Sequence, residues 1–274
     1  MTSSPTTLRV DAAADVRAVL ADPRFAVPDA AVGDAPPGTL RWLRQAVPRF
    51  SNGPVHARRR AAAEALLASP ALAPQRLREA ARRRAARTPA DDVPYVPVAV
   101  LAAALGVPEP DLATAVAATR RVAAAYQPGA SEAAVAAADG SVATLLGLLP
   151  AADPERAALL ICLLVQACDA TAGLVRAAAS ARDGRTLVDA LVAETLHREP
   201  PVRATRREAL ADAVVGGCPA ARGTTLLLDL TASAPGLDPL PFGHGPRPCP
   251  GSAQALALAC GALDATSTAE GRTA

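Results

Sequence analysis

One long segment limits the possible fold more than any other part of the sequence. It begins with Asp153, Pro154 and Glu155, a pattern typical of a helix N-terminus, in which Asp caps the helix, Pro takes the first helical position and an acid lies in the first turn. The apolar pattern predicts a helix to about Ala181, before Gly184. At 1.5 Å per residue this helix is about 40 Å long and crosses a whole domain. Because its middle is so apolar, we expect it to be central.

The composition favours helices packed closely around that segment. Of the 274 residues, 51% are apolar, which is ample for a substantial core and excludes disorder for most of the chain. Only 2% are aromatic, so the core must consist of Ala, Leu and Val, whose small side chains let helices approach each other. We predict a mainly α fold with a small β-sheet, formed by one domain over 1–264, and a disordered tail over 265–274.

Charge and cysteine usage exclude several classes of partner. The net charge is +2 and the Arg residues are spread among acids, so nucleic acid is not an implied partner. The most apolar stretch, Ala157 to Ala167, is too short to cross a bilayer, and the N-terminus lacks the basic and apolar segments of a secretion signal. Five irregularly spaced Cys without a CxxC pair indicate reduced thiols. We expect a cytoplasmic protein that binds neither nucleic acid nor a membrane.

The other elements are predicted from periodicity and from breaks at Gly and Pro. TTLRV is predicted to be a strand, followed by a helix capped by Asp11, and residues 26–40 are predicted to be a loop. Further helices are predicted over 55–69, 72–87 and 131–148, over two segments separated by Gly106 and Pro108, and over 186–199. Short strands follow within 203–217 and 223–230, then a Pro/Gly-rich loop over 234–251 and a last helix from Ser252.

The most specific segment is PFGHGPRPCPG, residues 241–251. It resembles the haem-ligand loop of the cytochrome P450 superfamily, which has the form Phe-Gly-x-Gly-x-(His/Arg)-x-Cys-x-Gly. All six specified positions match, namely Phe242, Gly243, Gly245, Arg247, Cys249 and Gly251. The resemblance implies a P450-like haem domain that binds haem b, with Cys249 as the thiolate ligand of the iron.

The position of Cys249 fits an anionic ligand. It stands just before the helix that starts at Ser252, where free backbone N–H groups and the helix dipole favour negative charge and a lowered thiol pKa. The other motif residues are expected to bend the loop beneath the porphyrin (Gly243 and Gly245), to let the helix approach closely (Gly251), to pair with a propionate (Arg247) and to shield the sulfur (Phe242).

Two basic segments resemble the parts of the family that hold the haem propionates. HARRR resembles the basic helix of the family, which implies that His56 and Arg60 hold one propionate. PPVRATRR resembles the segment after the Glu-x-x-Arg helix, which implies that Arg207 reaches the other propionate. Without the resemblance, Arg clusters on a solvated helix face and an exposed Arg207 are the alternative interpretations.

QACDATAGL resembles the oxygen-activating stretch of the family, where an acid and an alcohol deliver protons to oxygen. The resemblance implies that Asp169 and Thr171 line the distal side as catalytic residues. When Asp169 takes the acid position, however, Ala170 takes the place of the alcohol and Thr171 lies about 100° further round the helix. Shifting the alignment by one residue restores Thr171 and loses the acid, so Asp169 can equally be a capped or paired core acid.

AETLHRE resembles the Glu-x-x-Arg helix but has Glu194 followed by His197. Residues at i and i+3 share a helix face, and His can bond Glu without the two-pronged geometry of Arg. Arg198 is adjacent in the sequence, but it is expected to point to another face.

The resemblance covers nearly the whole chain, which is abbreviated at the N-terminus, between 231 and 241, and at the C-terminus. It implies a monooxygenase that acts on a small organic substrate in specialised metabolism. Because the chain has no flavin or nucleotide motif, electrons would come from NAD(P)H through a ferredoxin and its reductase or an equivalent carrier. Two alternatives stay open: a P450-like protein without oxygen chemistry that serves as the binding or activating partner of another enzyme, and a haem enzyme that uses peroxide.

Overall fold

A computed structural model describes residues 7–30, 33–127, 129–151 and 153–270, with the side chains of 266–270 excepted. The helices of this part are α1 Ala13–Ala21, α2 Leu40–Ala46, α3 Gly53–Leu67, α4 Pro74–Ala85, α5 Val96–Ala104, α6 Leu112–Tyr126, α7 Glu132–Leu148, α8 Pro154–Ser180, α9 Val188–Arg198 and α10 Ser252–Glu270. The strands are β1 Thr7–Val10, β2 Phe25–Ala26, β3 Ala204–Ala209, β4 Ala213–Val215, β5 Cys218–Ala220 and β6 Thr225–Asp229.

Helix α8 is the centre of the main core, as its sequence predicts. The side chain of Asp153 accepts a 2.8 Å hydrogen bond from the backbone N–H of Arg156, which caps the helix as expected. Six other helices, α2, α5, α6, α7, α9 and α10, pack against it. The resulting core consists mostly of Ala, Leu and Val, so small side chains do allow the close helix packing that the composition indicates.

By length and composition, the whole of α8 is long and apolar enough to cross a membrane. Its most apolar part as judged from the sequence alone, residues 157–167, is too short to do so. Within the protein, however, 67% of its most apolar window is buried. The core helix of a soluble protein passes the same test, and the packing of α8 against six neighbours is of that kind.

Helix α10 packs closely on α4 and so fixes the segment that follows residue 249. A Cβ atom added at Gly261 would collide with the carbonyl oxygen of Arg78 and would lie 2.9 Å from Cβ of Ala81. Glycine at 261 therefore lets the two helix backbones approach. Arg78 strengthens the same contact, since it donates a 2.8 Å hydrogen bond to Asp264 on α10 and bonds Asp189 at the start of α9.

The small sheet has the strand order β1-β6-β3-β2, with β1 parallel to β6 and the other pairs antiparallel. A second, smaller core lies between this sheet and α1. Strand β3 places Arg207 opposite Leu226 of β6. The remaining strands, β4 and β5, form a separate hairpin that turns at Gly216 and Gly217, both at positive φ.

Three elements differ from what the sequence led us to expect. Helix α1 starts at Ala13 with Ala12 as its N-cap, so Asp11 lies one residue too early to cap it. Helix α2 was not predicted; Thr39 caps it by accepting a 3.2 Å hydrogen bond from the backbone N–H of Trp42. Helix α10 continues to Glu270, through the first residues of the expected tail, while 271–274 lie outside the described residues.

Candidate functional site

The loop over 240–251 is held in a bent shape by its own backbone. The N–H of Gly243 bonds the carbonyl of Leu240 at 2.9 Å, and the N–H of Cys249 bonds the carbonyl of Phe242 at 2.7 Å. Gly243 and Gly245 have φ of +76° and +69°, which is the left-handed region that glycine adopts without strain. Both glycines therefore lie where the loop bends, and their role beneath a porphyrin stays a prediction.

The glycines differ in what surrounds them. A Cβ atom at Gly245 would lie 2.7 Å from the carbonyl oxygen of Leu20, so the loop packs directly on the end of α1. A Cβ atom at Gly251 would lie 3.7 Å from the Leu67 side chain, an ordinary contact. Among the protein contacts of α10, the close backbone approach is at Gly261, and the role expected of Gly251 toward haem stays a prediction.

Cys249 lies at the end of this loop, three residues before α10, and is exposed. Its thiol is open on one side and crowded by protein on the other, and this desolvation raises the pKa of the thiol. A hydrogen bond from the backbone N–H of Gly251 and the positive charge of Arg60 act in the opposite direction. The predicted donors are thus present, but the predicted net lowering of the pKa is wrong, because desolvation is the larger effect.

Helix α3 brings Arg60 to the ligand loop. Nη1 of Arg60 donates a 2.7 Å hydrogen bond to the carbonyl of Pro248, and Nε donates a 2.6 Å bond to Glu64. His56, one turn earlier and half-buried, has a lowered pKa because it is desolvated and lies near Arg247 and Arg60. A neutral imidazole and an Arg therefore face the loop from the same helix.

The other two arginines of HARRR lie beside the start of α8, Arg58 exposed and Arg59 half-buried. Arg58 and Arg59 both contact Glu155 in the first turn of α8, at 3.0 and 3.4 Å. Arg59 also donates to the carbonyl of Gln45 and to the hydroxyl of Ser51, each at 2.7 Å. These arginines join α3 to the start of the central helix and leave Arg60 as the one directed at the ligand loop.

Arg247 and Arg207 come together beside the same loop. Arg247 donates to the carbonyl of Ser51 at 2.7 Å and to Oδ1 of Asn52 at 3.0 Å, which fixes its side chain next to the start of α3. Arg207 is 6% exposed, so the alternative interpretation as an exposed Arg is wrong. Burial, followed by the charges of Arg49 and Arg247, lowers its pKa to about 10.

Arg49 completes a basic cluster that the sequence did not reveal. We use the term basic cluster for Arg49, Arg207 and Arg247, together with His56 and Arg60. Within the described residues, no carboxylate forms an ion pair with Arg49, Arg207 or Arg247. The only signal for Arg49 was a charged residue in the otherwise apolar VPRF segment.

The cluster and the thiol fit the group that the resemblance implies. Haem carries two carboxylates, and a desolvated set of guanidinium groups without acidic partners is suited to bind them. The iron of haem needs one protein ligand on its proximal side, because the porphyrin supplies four. The exposed thiol of Cys249 can supply this one ligand.

The structure separates the two residues that were expected to act together on α8. Asp169 is exposed, and its charge helps to raise the pKa of neighbouring Cys168 to about 12, after the larger effect of burial. Thr171 is 2% exposed, and its hydroxyl donates to the carbonyl of Ala167 in its own helix. Two residues apart on a helix corresponds to about 200°, so Asp169 and Thr171 do not share a face. The predicted distal role of Thr171 is not supported by its position.

Ala170 lies on the face of α8 that meets the segment after α9. It is half-buried and stands three residues before Gly173, where an added Cβ atom would lie 3.0 Å from Pro201. Pro201 begins the segment that leads to Arg207. The position that faces this segment therefore carries a methyl group rather than a hydroxyl.

Glu194 and His197 do not bond each other. Glu194 pairs with Arg198 at 3.0 Å, and Nδ1 of His197 lies 3.9 Å from Asp238 in the abbreviated segment before the ligand loop. The expectation that Arg198 is out of reach is wrong, since residues at i and i+4 are neighbours on a helix. All these side chains are well exposed, so this pair cannot act as a buried clamp.

A scan against models of protein families and a search among curated proteins both found no match to this sequence. Solved structures do match. P450BioI, in complex with an acyl carrier protein ligated to hexadec-9Z-enoic acid, gives a TM-score of 0.77 at 20% identity, over 93% of this chain and 84% of that chain. CalO2 gives 0.74 at 20% identity, over 94% and 82%. CYP164A2 of Mycobacterium smegmatis with econazole bound gives 0.74 at 22% identity, over 97% and 85%.

These similarities show that the chain has a cytochrome P450-like fold, shorter than is typical of that fold. The mainly α architecture with a small sheet, predicted from composition and from the ligand-loop motif, is confirmed.

Proposed function

We propose that the protein is a haem-thiolate oxidoreductase of the P450 type that oxidises a small organic substrate. The observation that carries this proposal is the exposed thiol of Cys249 on a glycine-bent loop, with Arg60, Arg207 and Arg247 around it. The P450-like fold of the chain supports it.

In this proposal Cys249 would ligate the iron of a bound haem, and the N–H of Gly251 and the charge of Arg60 would stabilise its thiolate. Arg207 and Arg247 hold the haem propionates, assisted by Arg60 and by neutral His56. Phe242, half-buried against the main core, would shield the sulfur. When bound, a thiolate-ligated haem supplies O–O bond cleavage and transfer of oxygen to the substrate.

Asp169 is exposed on α8, next to Ala170 and four residues before Gly173, so solvent reaches its carboxyl group on this part of the helix. The hydroxyl of Thr171 is occupied by its own helix. We therefore assign proton delivery to Asp169 together with solvent.

The electrons have to come from outside the chain, from NAD(P)H through a ferredoxin and ferredoxin reductase or an equivalent carrier. A cytoplasmic location and a place in specialised metabolism belong to the same proposal. A carrier protein that presents the substrate is a further option, since one of the structural neighbours was solved with an acyl carrier protein.

The decisive experiment is the absorption spectrum of the haem-supplemented protein after reduction and exposure to carbon monoxide. Thiolate ligation predicts a strongly red-shifted Soret band that is lost in Cys249→Ala. Cys218→Ala is the matched control, because Cys218 is the other exposed cysteine of the described chain. Failure of the folded wild-type protein to retain haem would refute the proposal.

A peroxide-dependent haem enzyme is a second candidate, favoured by the methyl group of Ala170 and the engaged hydroxyl of Thr171. Peroxide already carries the electrons and protons that the acid and alcohol pair would help to supply. Turnover with hydrogen peroxide but not with a reductase system would select this candidate.

The third candidate, a P450-like partner of another enzyme, is favoured by the exposed Glu194–Arg198 pair. The basic cluster weighs against it, since a scaffold that binds no anion would leave several desolvated cations without partners. If the protein folds but binds no haem, we would assign it this third function.

A further inference from the structure

A groove of about 970 Å³ lies between helices α4 and α5, which pack against each other. It follows residues 76–87, on α4 and the turn after it, for about 17 Å or three helical turns. Arg78 and Ala81, which contact α10, lie on another face of α4. Among the described residues, those that line the groove include no member of the ligand loop or of the basic cluster. The groove is therefore a surface feature separate from the candidate site.

The floor of the groove is apolar. It is formed by the side chains of Leu77, Ala80, Val100, Ala103 and Ala104. The three alanines are exposed or half-buried, while Leu77 and Val100 are buried. Because alanine is much shorter than the arginines around it, this apolar surface is recessed. Side chains inserted by a partner can reach the floor, whereas a flat surface cannot.

The middle of the rim is charged but internally paired. Arg84 on α4 contacts Glu109, in the turn after α5, at 2.6 Å, and this pair joins the two sides of the groove. Arg83 contacts Glu79 on its own helix at 2.9 Å. Each arginine is thus matched by a carboxylate, so these two pairs add no net charge to the rim.

The two ends of the rim are positive. Arg76 and Arg87 both line the groove and are exposed. Within the described residues, neither of them forms an ion pair with a carboxylate. Arg87 donates a 3.3 Å hydrogen bond to the carbonyl of Arg83, which carries no charge. The groove therefore presents an apolar recess with an uncompensated positive charge at each end.

This arrangement is complementary to an acidic amphipathic helix. Such a helix inserts an apolar stripe of side chains three and four residues apart, and three turns of it match the length of the groove. Acidic side chains beside the stripe would meet Arg76 and Arg87. A DNA duplex would use the arginines but not the apolar floor, and a bilayer surface would not enter the recess. Charge and shape together favour a protein helix.

We propose that the groove between α4 and α5 docks an acidic amphipathic helix of a partner protein. Its acidic side chains pair with the arginines at the ends of the rim, and its apolar side chains fill the recess. Docking does not depend on bound haem, since the described residues of the groove are separate from the ligand loop and the basic cluster. It is compatible with each of the candidate functions.

The test measures the binding of labelled peptides to the full-length protein by fluorescence anisotropy. The probe is a helical peptide of about 15 residues with a Leu stripe on one face and Glu on the other. We expect a dissociation constant below about 100 µM at low salt, and weaker binding as salt is added. One comparison peptide has Lys in place of Glu, and another has Gln in place of Leu. Each should bind more weakly by about 10-fold or more, because the first is repelled by the rim and the second cannot fill the floor.

Charge reversal at both ends of the rim, Arg76→Glu with Arg87→Glu, should weaken binding of the acidic peptide by about 10-fold or more. The neutral pair Arg76→Gln with Arg87→Gln should weaken it less. Arg121→Glu with Arg185→Glu is the matched control, because both residues are exposed, lie outside the groove and give the same change in net charge. Circular dichroism verifies that every variant is folded, as expected for substitutions at exposed positions.

Several results would overturn the proposal. They are no binding of the acidic peptide up to about 1 mM, equal binding of the three peptides, and equal weakening by the rim pair and the control pair. Tighter binding of a DNA duplex or of phosphatidylserine vesicles, lost in the rim variant, would give the groove a different partner and would also overturn it. If wild type retains no haem but binds the acidic peptide at the rim, the proposed function fails and the docking groove stands.

Discussion

Arg60 donates a 2.7 Å hydrogen bond to the carbonyl of Pro248, the residue directly before Cys249. This bond joins α3 to the ligand loop across 188 residues of sequence. It also places a positive charge close enough to the thiol to lower its pKa against the effect of burial. One arginine therefore both positions the proposed ligand and favours its ionised form.

Arg60→Gln should weaken haem retention by about 10-fold, because it removes a charged hydrogen bond to the loop and a favourable charge next to the thiolate. The dissociation constant is measured by transfer of haem to an excess of a haem-binding acceptor protein. Arg58→Gln, two residues earlier and paired only with Glu155 at the surface, is the control and should retain haem as wild type does. Equal haem loss in both variants would contradict the role of Arg60.

The thiol of Cys249 in the haem-free protein should titrate above the ordinary pKa of a cysteine, because desolvation outweighs the Gly251 N–H and Arg60. Its alkylation by iodoacetamide should therefore still accelerate as the pH rises beyond that ordinary value, since the thiolate is the reactive form. Arg60→Gln should move the midpoint higher still. Measurements in a Cys218→Ser background isolate this thiol, as Cys162, Cys168 and Cys260 are buried. A midpoint below the ordinary value would refute the argument.

Gly245→Ala should destabilise the protein by about 2–4 kcal/mol, because an alanine there would be strained at φ +69° and would collide with the carbonyl of Leu20. Gly236→Ala is a matched control, since its φ is +75° but nothing lies within 4 Å of an added Cβ atom. We expect about 1–2 kcal/mol for this variant. Urea unfolding measures both. Equal values would show that the approach to α1 is not tight.

The motif alone predicted the backbone of the ligand loop well, because glycine at positive φ has a direct sequence signature. It could not predict the pKa of Cys249, since desolvation depends on how closely distant segments pack around the thiol. Arg49 was missed for a similar reason. It lies in a three-residue turn, and only the tertiary structure brings it to Tyr126 and Arg207.

Helices were predicted best where an N-cap and an apolar face coincide, as in α8. The short helix α2 escaped because seven residues give too little periodicity to stand out from the loop before it. Glu194 can reach either His197 or Arg198 on the same helix. In the structure it pairs with Arg198, which lies at i+4 and has the longer side chain. Sequence spacing permits both partners and cannot decide between them.

Arg207→Met should leave the haem-free protein as stable as wild type or more stable, because it removes a buried cation that has no acidic partner. The same variant should bind haem at least 10-fold more weakly, since the proposed propionate contact is lost. Thermal unfolding and haem transfer measure the two effects. Arg203→Met, at an exposed position before the same strand, should change neither quantity. A large loss of stability without haem would mean that the hydrogen bonds from Arg207 to the carbonyl of Arg206 and to the hydroxyl of Thr205 outweigh the cost of burying its charge.

Thr171→Val should leave reductase-supported turnover within about twofold of wild type. The hydroxyl of Thr171 donates to the carbonyl of Ala167 and is buried in the main core, so it does not reach the face of α8 that carries Ala170 and Gly173. Thr195→Val is the matched control, because that hydroxyl is also buried and bonds the carbonyl four residues earlier. Both variants should lose about 1 kcal/mol of stability or less, since valine keeps the shape and the helix keeps its own hydrogen bonds. A selective fall in turnover for Thr171→Val, with uncoupled reduction of oxygen to peroxide, would restore Thr171 as the proton-delivering alcohol and would mean that α8 changes its local backbone when haem is bound.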